Sequence, residues 1–246
     1  MKLHLLGTGG YHPSDRRHTA CLMLPEAGIV LDAGTAMFRV RDLLVTPTLD
    51  IFLTHAHLDH SVGLTYLFDV LWQRDVRQVV VHAAADKLAA IEQHLLAEAI
   101  FPVRPPCEFR PLATNVTLPD GGRLTHFPLA HPGGVVGYRL DWPSRSLAYV
   151  TDTTAAADAS YIDAIRGVDL LVHECYFPDS MRQWAERTGH SCTSDVAQLA
   201  AAAEVGRAVL VHINPLAETD EELGVDQAKQ TFAHLELASD GDVVEF

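Results

Sequence analysis

Residues 51–64, IFLTHAHLDHSVGL, place three histidines and one aspartate within six positions directly after an apolar run. The apolar run predicts a buried strand, and the polar residues follow where that strand ends. His55 and His57 alternate, so both imidazoles can point to the same side, while Asp59 and His60 come on the next turn. A polar strand-to-helix loop would explain one or two such residues but explains four poorly. Converging imidazoles and carboxylates are the ligands that zinc and similar divalent ions prefer.

Similar polar residues follow later predicted strands. His131, Asp152 and His212 raise the number of candidate ligands to seven, enough for two cations with positions left for water and substrate. Asp32 and Glu174 also end apolar runs. Because ligands gather at strand ends in open α/β folds, we expect these residues to meet in space although they are far apart in sequence. Asp32 could orient a ligand histidine or cap the turn that follows it.

The order of apolar and amphipathic segments predicts an α/β protein, with strands joined by short turns first and strands alternating with helices later. Strands are predicted at residues 2–6, 19–24, 28–34, 49–54, 77–83, 122–131, 135–142, 144–152, 168–174, 207–214 and 240–246. Helices are predicted at residues 35–44, 84–99, 161–167, 193–206 (with a Thr or Ser cap) and 219–235. Residues 100–112 carry four prolines, which predict a loop or flap.

Length and composition set further limits. The 246 residues fit one large or two small domains, and without a break in composition we expect a single domain over residues 1–246. The sequence shows neither a signal peptide nor a membrane segment, and its four cysteines are widely spaced, so we expect a cytoplasmic protein with free thiols. A net charge of −14 with scattered arginines opposes binding of a large polyanion.

The motifs resemble those of the metallo-β-lactamase-fold hydrolases, since H-x-H-x-D-H at residues 55–60 is followed in order by His131, Asp152 and His212. Five stretches are similar to the ribonuclease Z-like branch of these hydrolases: LGTGGYHPSDRR (6–17), DHSVGL (59–64), HPGGVVGYRL (131–140), VDLLVHECYF (168–177) and GHSCTSDVAQLA (189–200). The resemblance implies a four-layer αββα sandwich.

The resemblance also implies a dinuclear centre. One divalent ion would be held by His55, His57 and His131, and a second by Asp59, His60 and His212, with Asp152 as the bridging ligand. Zinc is the default for these ligands, and manganese and iron are alternatives.

In the mechanism that the resemblance implies, a metal-bridging hydroxide attacks the substrate and Asp59 orients that hydroxide. Glu174 would orient His190, which would act as the general acid. The alternative is that Glu174 is a structural partner of an amide or a helix N-terminus. We favour catalysis, because an acidic residue that ends an apolar strand is costly without a specific partner.

The sequence departs from bacterial ribonuclease Z, in which an insertion between the third and fourth metal motifs forms an arm that grips transfer RNA. Here residues 137–152 leave room only for a tight turn, and the segment after His212 is acidic. The leading hypothesis is therefore a phosphodiesterase for a small diester such as a cyclic nucleotide. The alternatives are a transfer-RNA 3′-endonuclease, an ester, thioester or lactone hydrolase, and a non-catalytic carrier or sensor.

Several roles stay open. Residues 101–111 could form a lid or pocket wall, contributed across a homodimer of the kind common among related enzymes. Arg16, Arg17 and His18 could contact phosphate or belong to a solvated loop. Tyr138 could lie in the core or line the pocket, and alternation predicts that His173 faces away from the site in a structural role.

Overall fold

The structure of the protein is a computed structural model that describes residues 1–217, 219 and 221–246. The chain divides into two compact units: Met1–Ala113 with Ser239–Glu245, and Thr114–Ala238 with Phe246. Each unit contains a β-sheet and helices. The predicted α/β class is therefore confirmed, while the single domain over residues 1–246 stays a prediction.

Apolar runs form the strands, most of them where the sequence predicts. The described residues form β1 (Lys2–Gly7), β2 (Cys21–Leu24), β3 (Ile29–Leu31), β4 (Thr48–Phe52), β5 (Gln78–Ala83), β6 (Glu108–Pro111), β7 (Asn115–Thr117), β8 (Arg123–Leu129), β9 (Val135–Trp142), β10 (Arg145–Val150), β11 (Leu170–Glu174), β12 (Arg207–Val211), β13 (Leu235–Leu237) and β14 (Asp242–Glu245).

Each unit has one mixed sheet. In the first unit the order is β14-β1-β2-β3-β4-β5-β6, antiparallel as far as β3 and parallel from β3 to β6. In the second it is β13-β12-β11-β10-β9-β8-β7, parallel from β10 to β13. Parallel strands end at the same edge of their sheet, so each unit brings the residues that follow these strands to one edge.

The helices are short. The described α-helices are α1 (Leu58–Ser61), α2 (Leu67–Leu71), α3 (Ala85–Ala90), α4 (Ile162–Ile165), α5 (Arg182–Thr188), α6 (Thr193–Ala202) and α7 (Val225–Ala228). The 3₁₀ segments are Pro25–Ala27, Thr35–Leu43, Val62–Tyr66, Pro119–Gly121, Asp179–Met181 and Glu221–Leu223, and a π-helical turn at Ile91–Leu95 continues α3. None of the helices in the described ranges is long and apolar enough to cross a membrane.

Helical side chains cover one face of each sheet. In the first unit Met37, Leu67 and Leu88 pack in one buried cluster with strand residues such as Met23 and Ile51. In the second unit residues of α6 and of strands β10 to β13 share another cluster. The strand residues whose side chains point to the other face of each sheet are buried as well. Both faces therefore require apolar side chains, which explains the nearly continuous apolar runs in the sequence.

Three local predictions are wrong. Within the segment predicted as a loop, β6 pairs in parallel with β5, and Pro111 is tolerated because β6 is an edge strand. The N-cap of α6 is Cys192 without a side-chain cap, since the Ser194 hydroxyl bonds Asp179 instead. The helix predicted at 219–235 is broken at Gly224, which has a φ of 67°. Asp220 in that prediction lies outside the described residues.

Asp240 fastens the C-terminal segment of the first unit to the loop after β1. Its nearly buried carboxylate accepts hydrogen bonds from the amide and hydroxyl of Thr8 at 2.9 and 2.8 Å and from the amide of His18 at 2.8 Å. It also forms an ion pair with Arg39 at 2.6 Å. Removal of this carboxylate would leave several donors without their acceptor.

We therefore expect Asp240→Ala to lower the free energy of unfolding by about 3 kcal/mol, because it breaks a mostly buried charged network. Urea unfolding monitored by circular dichroism measures the change. The matched control is Glu245→Ala, which removes an exposed ion pair with Lys2 and should cost less than about 0.5 kcal/mol. Equal effects of the two substitutions would contradict this account.

Candidate metal centre

The first unit brings its predicted ligands together at the ends of β3 and β4. His55 and His60 are buried, Asp59 is half-buried and His57 is exposed at the N-cap of α1. The ring centroid of His55 lies 4.4 Å from that of His57 and 4.3 Å from that of His60. Three imidazoles thus converge.

Asp32 orients two of these imidazoles. Its fully buried carboxylate lies 2.8 Å from Nδ1 of His60 and accepts hydrogen bonds from the amide and hydroxyl of Thr54. The Thr54 hydroxyl in turn lies 3.0 Å from Nδ1 of His55. Because an ionised carboxylate only accepts, Nδ1 of His60 carries the proton and Nε2 is the nitrogen left for a metal. Asp32 therefore makes a contact that orients a ligand histidine, one of the two roles that the sequence left open for it.

Asp59 has two contacts of its own. Its Oδ2 lies 3.4 Å from Nε2 of His60 and accepts a hydrogen bond from the amide of Tyr11 at 2.8 Å. The carboxylate thus faces the nitrogen that Asp32 leaves for a metal, as two ligands of one ion would.

The second unit brings together His131, Asp152 and His212, which follow β8, β10 and β12. Nε2 of His131 lies 3.6 Å from one Asp152 carboxylate oxygen, and Nε2 of His212 lies 3.2 Å from the other. Nδ1 of His131 donates to the carbonyl of Gly189 at 3.1 Å, which again leaves Nε2 for a metal. A carboxylate with a different histidine at each oxygen has the arrangement that a bridging ligand requires.

Glu174 and His190 form a pair in the same unit. Nδ1 of His190 lies 2.9 Å from Oε1 of the fully buried Glu174. Glu174 also accepts hydrogen bonds from the amides of Thr153 and Tyr176 at 2.9 and 3.1 Å. These donors satisfy the buried carboxylate, which in turn fixes the orientation of the His190 ring.

His190 lies beside the ligands of its unit. The potential ligand atoms of Asp152, His190 and His212 all lie within 4.8 Å of one another. The His190 ring stacks on Tyr176 with centroids 4.7 Å apart. The residue predicted to be the general acid is therefore held next to two predicted metal ligands.

The sequence analysis missed several supporting residues. Gly189, with a φ of 77°, ends α5, and a Cβ there would lie 3.2 Å from Nδ1 of His131. Ser191 accepts from the amide of Ala155 and donates to the carbonyl of Thr153, so it joins the loops that carry His190 and Asp152. The GHS stretch was the available signal, although only its histidine was interpreted.

Four residues whose roles the sequence left open have defined surroundings in the structure. Arg17 is buried and donates to the Thr8 hydroxyl at 2.6 Å, whereas Arg16 is exposed. His18 lies 3.2 Å from the Thr35 hydroxyl. Tyr138 is fully buried and belongs to the core.

His173 has the structural role that alternation predicts. Its ring is fully buried and hydrogen-bonds the Tyr161 hydroxyl and the carbonyl of Glu174 at 2.9 and 2.8 Å. Burial lowers the pKa of His173, because the charged imidazolium would lose its hydration.

The residues present fit a divalent metal. Imidazoles whose Nδ1 is held by a carboxylate, hydroxyl or carbonyl partner are the usual form of protein metal ligands. The donors are nitrogen and carboxylate oxygen without a thiolate, which suits zinc, manganese or iron. Each unit supplies its own set of such groups, and their assignment to particular ions stays a prediction.

The chain is similar to known proteins over most of its length. A family model described as the Beta-lactamase superfamily domain matches residues 28–213. A ribonuclease Z from Metallosphaera sedula is 26% identical over 279 aligned positions, which cover 94% of each chain. These positions exceed the 246 residues of this chain by 33, so the relative carries segments that this chain lacks.

Two solved structures share the fold. The metallo-beta-lactamase fold protein YhfI from Bacillus subtilis has a TM-score of 0.82 and 20% identity, with 99% of both chains covered. A diphosphatase from the PhnP family has a TM-score of 0.74 and 22% identity, with 100% of this chain and 96% of that chain covered. The metallo-β-lactamase fold predicted from the motifs is thereby confirmed.

We expect Asp32→Asn to weaken zinc binding about 10- to 100-fold, because the amide can no longer act as a charged acceptor for Nδ1 of His60. Competition with a chromophoric chelator measures the affinity directly. Asp50→Asn is the matched control, since Asp50 also pairs with a buried histidine, His82, at 2.7 Å, but neither residue belongs to the ligand set. An unchanged zinc affinity in Asp32→Asn would refute the orienting role.

Proposed function

Because the chain belongs to the β-lactamase superfamily and is a ribonuclease Z-like enzyme, we propose that it is a dinuclear metal-dependent phosphodiesterase acting on a small diester such as a cyclic nucleotide. The fold and the ligand chemistry support hydrolysis. The choice of a small phosphodiester depends on the proton donor and on the segments that the chain lacks.

We assign one ion to His55, His57 and His131 and a second to Asp59, His60 and His212, with Asp152 shared. Two divalent ions would supply an activated water near neutral pH and offset the negative charge of the phosphate. Asp32 would hold the imidazole of His60 directly and that of His55 through Thr54. Both rings would then keep the proton on Nδ1 and present Nε2 to a metal. Zinc is the proposed ion.

The observation that carries the proposal is the Glu174–His190 pair beside Asp152 and His212. Cleavage of an alkyl phosphodiester releases an alkoxide, a strongly basic leaving group that needs a proton. His190, held by a buried carboxylate, can donate that proton. A thiolate or an activated ester leaving group needs much less assistance, so the pair favours a phosphodiester over a thioester or an activated ester.

Four observations favour a small substrate over transfer RNA. β9 and β10 are joined by a two-residue turn, since Trp142 pairs with Arg145, so that position has no room for an RNA-binding arm. The ribonuclease Z relative carries additional segments, and the charge of −14 repels a polyanion. The chain also shares its fold with a PhnP-family protein that is named a diphosphatase and not a ribonuclease.

A transfer-RNA 3′-endonuclease is the second candidate, because the full-length relatives are named ribonuclease Z or ribonuclease BN. The cytoplasmic location and the homodimer stay predictions.

For the zinc-reconstituted protein, we expect hydrolysis of a cyclic nucleotide and of bis-p-nitrophenyl phosphate, with no specific cleavage of precursor transfer RNA. Product analysis by chromatography and gel electrophoresis separates the candidates. Specific 3′ cleavage of the precursor would establish the second candidate, and a thioester as the best substrate would overturn both.

His190→Ala should lower kcat for the cyclic nucleotide about 10²- to 10⁴-fold, because the alkoxide loses its proton donor. The same substitution should affect bis-p-nitrophenyl phosphate far less, since p-nitrophenolate leaves without a proton. His234→Ala, which removes an exposed histidine of the same unit, is the control and should change neither rate. Equal losses for both substrates would exclude His190 as the general acid.

A further inference from the structure

Tyr11 lies next to a residue of the proposed catalytic centre. Its amide donates a hydrogen bond to Oδ2 of Asp59 at 2.8 Å, although the two residues are 48 positions apart. The backbone of residue 11 is thereby held against a predicted metal ligand. No role was assigned to this tyrosine from the sequence.

The backbone of Tyr11 has an unusual conformation. Its φ is 64°, in the left-handed region that bulky residues seldom adopt, and two glycines precede it in the sequence. Such strain costs about 1–3 kcal/mol and is concentrated at functional sites. A large side chain at this position therefore calls for a reason other than folding.

The Tyr11 ring is open to a ligand. It is 73% exposed and meets the ring of His12 edge-on, with centroids 5.3 Å apart. A ring that is so exposed adds little to the hydrophobic core. Because the amide of the same residue contacts Asp59, the ring is carried within reach of a group bound there.

The loop that carries Tyr11 is rigidly held at its base. The amide of Gly9 donates to the carbonyl of His18, and that of Ser14 to the carbonyl of Arg17, both at 2.8 Å. Asp240 accepts hydrogen bonds from both ends of the loop, at Thr8 and His18. A ring on a preorganised loop loses little conformational entropy when it binds a ligand.

We infer that Tyr11 is a specificity-determining residue whose ring stacks on the nucleobase of a nucleotide substrate. This inference rests on the proposed function, because it places the phosphate of that nucleotide at the metal ligands. Base stacking on an aromatic ring tolerates any base, so we expect a preference for nucleotides over other phosphate esters without strong selection among bases.

The test compares binding of AMP and ribose 5-phosphate, which differ in the base, to the zinc-loaded protein by calorimetry. We expect AMP to bind at least about 5-fold more tightly in the native protein and in Tyr11→Phe. In Tyr11→Asn this preference should vanish while the affinity for ribose 5-phosphate stays unchanged. Asparagine tolerates the positive φ and keeps the amide that bonds Asp59.

Two further variants complete the design. Tyr11→Gly also keeps the amide and relieves the strain, so it replaces Tyr11→Asn if that protein does not fold. Trp72→Ala removes a comparably exposed ring elsewhere in the same unit and should keep the preference for AMP. Zinc content, measured for every variant, should equal that of the native protein.

Equal affinities for the two ligands in the native protein would overturn the inference. It would also be overturned if Tyr11→Asn and Tyr11→Gly lost zinc or weakened both ligands alike, since the residue would then position Asp59 rather than recognise a base. The proposed function fails separately, if the zinc-loaded protein hydrolyses no phosphodiester although AMP binds in preference to ribose 5-phosphate.

Discussion

The buried carboxylate of Asp32 is the constraint on which the first ligand set depends. A charged group without access to water is stable only when donors surround it, and the donors here are Thr54 and Nδ1 of His60. The requirements of the buried charge and of a metal are therefore met by the same contacts. Asp32 obtains its donors, and in return His55 and His60 are held with Nε2 available.

The second unit also has a buried carboxylate that needs hydrogen-bond donors around it. Glu174 is stabilised by two amides and by Nδ1 of His190, so the group that orients the proposed proton donor is fixed by the backbone of its neighbours. A left-handed backbone conformation recurs where strands of both units end near the predicted ligands, with φ of 58° at Asp32, 48° at Asp152 and 57° at His212. Each of these residues follows a strand directly or after one residue, where the left-handed conformation turns the chain away from the direction of the strand.

Much of the fold could be predicted because its signals are local. Apolar runs mark most of the strands, and the polar residues that end them are the ones that each sheet gathers at one edge. The failures are also physical. Pro111 was read as a loop residue because the sequence does not reveal that β6 is an edge strand, where a missing amide costs nothing. The cap of α6 was misassigned because Ser194 bonds Asp179, which is 15 residues away.

The sequence by itself determined the α/β class, the family motifs, the chemical types of the seven candidate ligands, the acid pair and the absence of an inserted arm. These features depend on residue identity and spacing along the chain. Only the tertiary structure decided which nitrogen of His60 and His131 is held, that Asp240 clamps the loop after β1, and that Tyr11 lies beside Asp59. Such contacts join residues between 28 and 232 positions apart, and their geometry exists only once the sheet and its loops have packed.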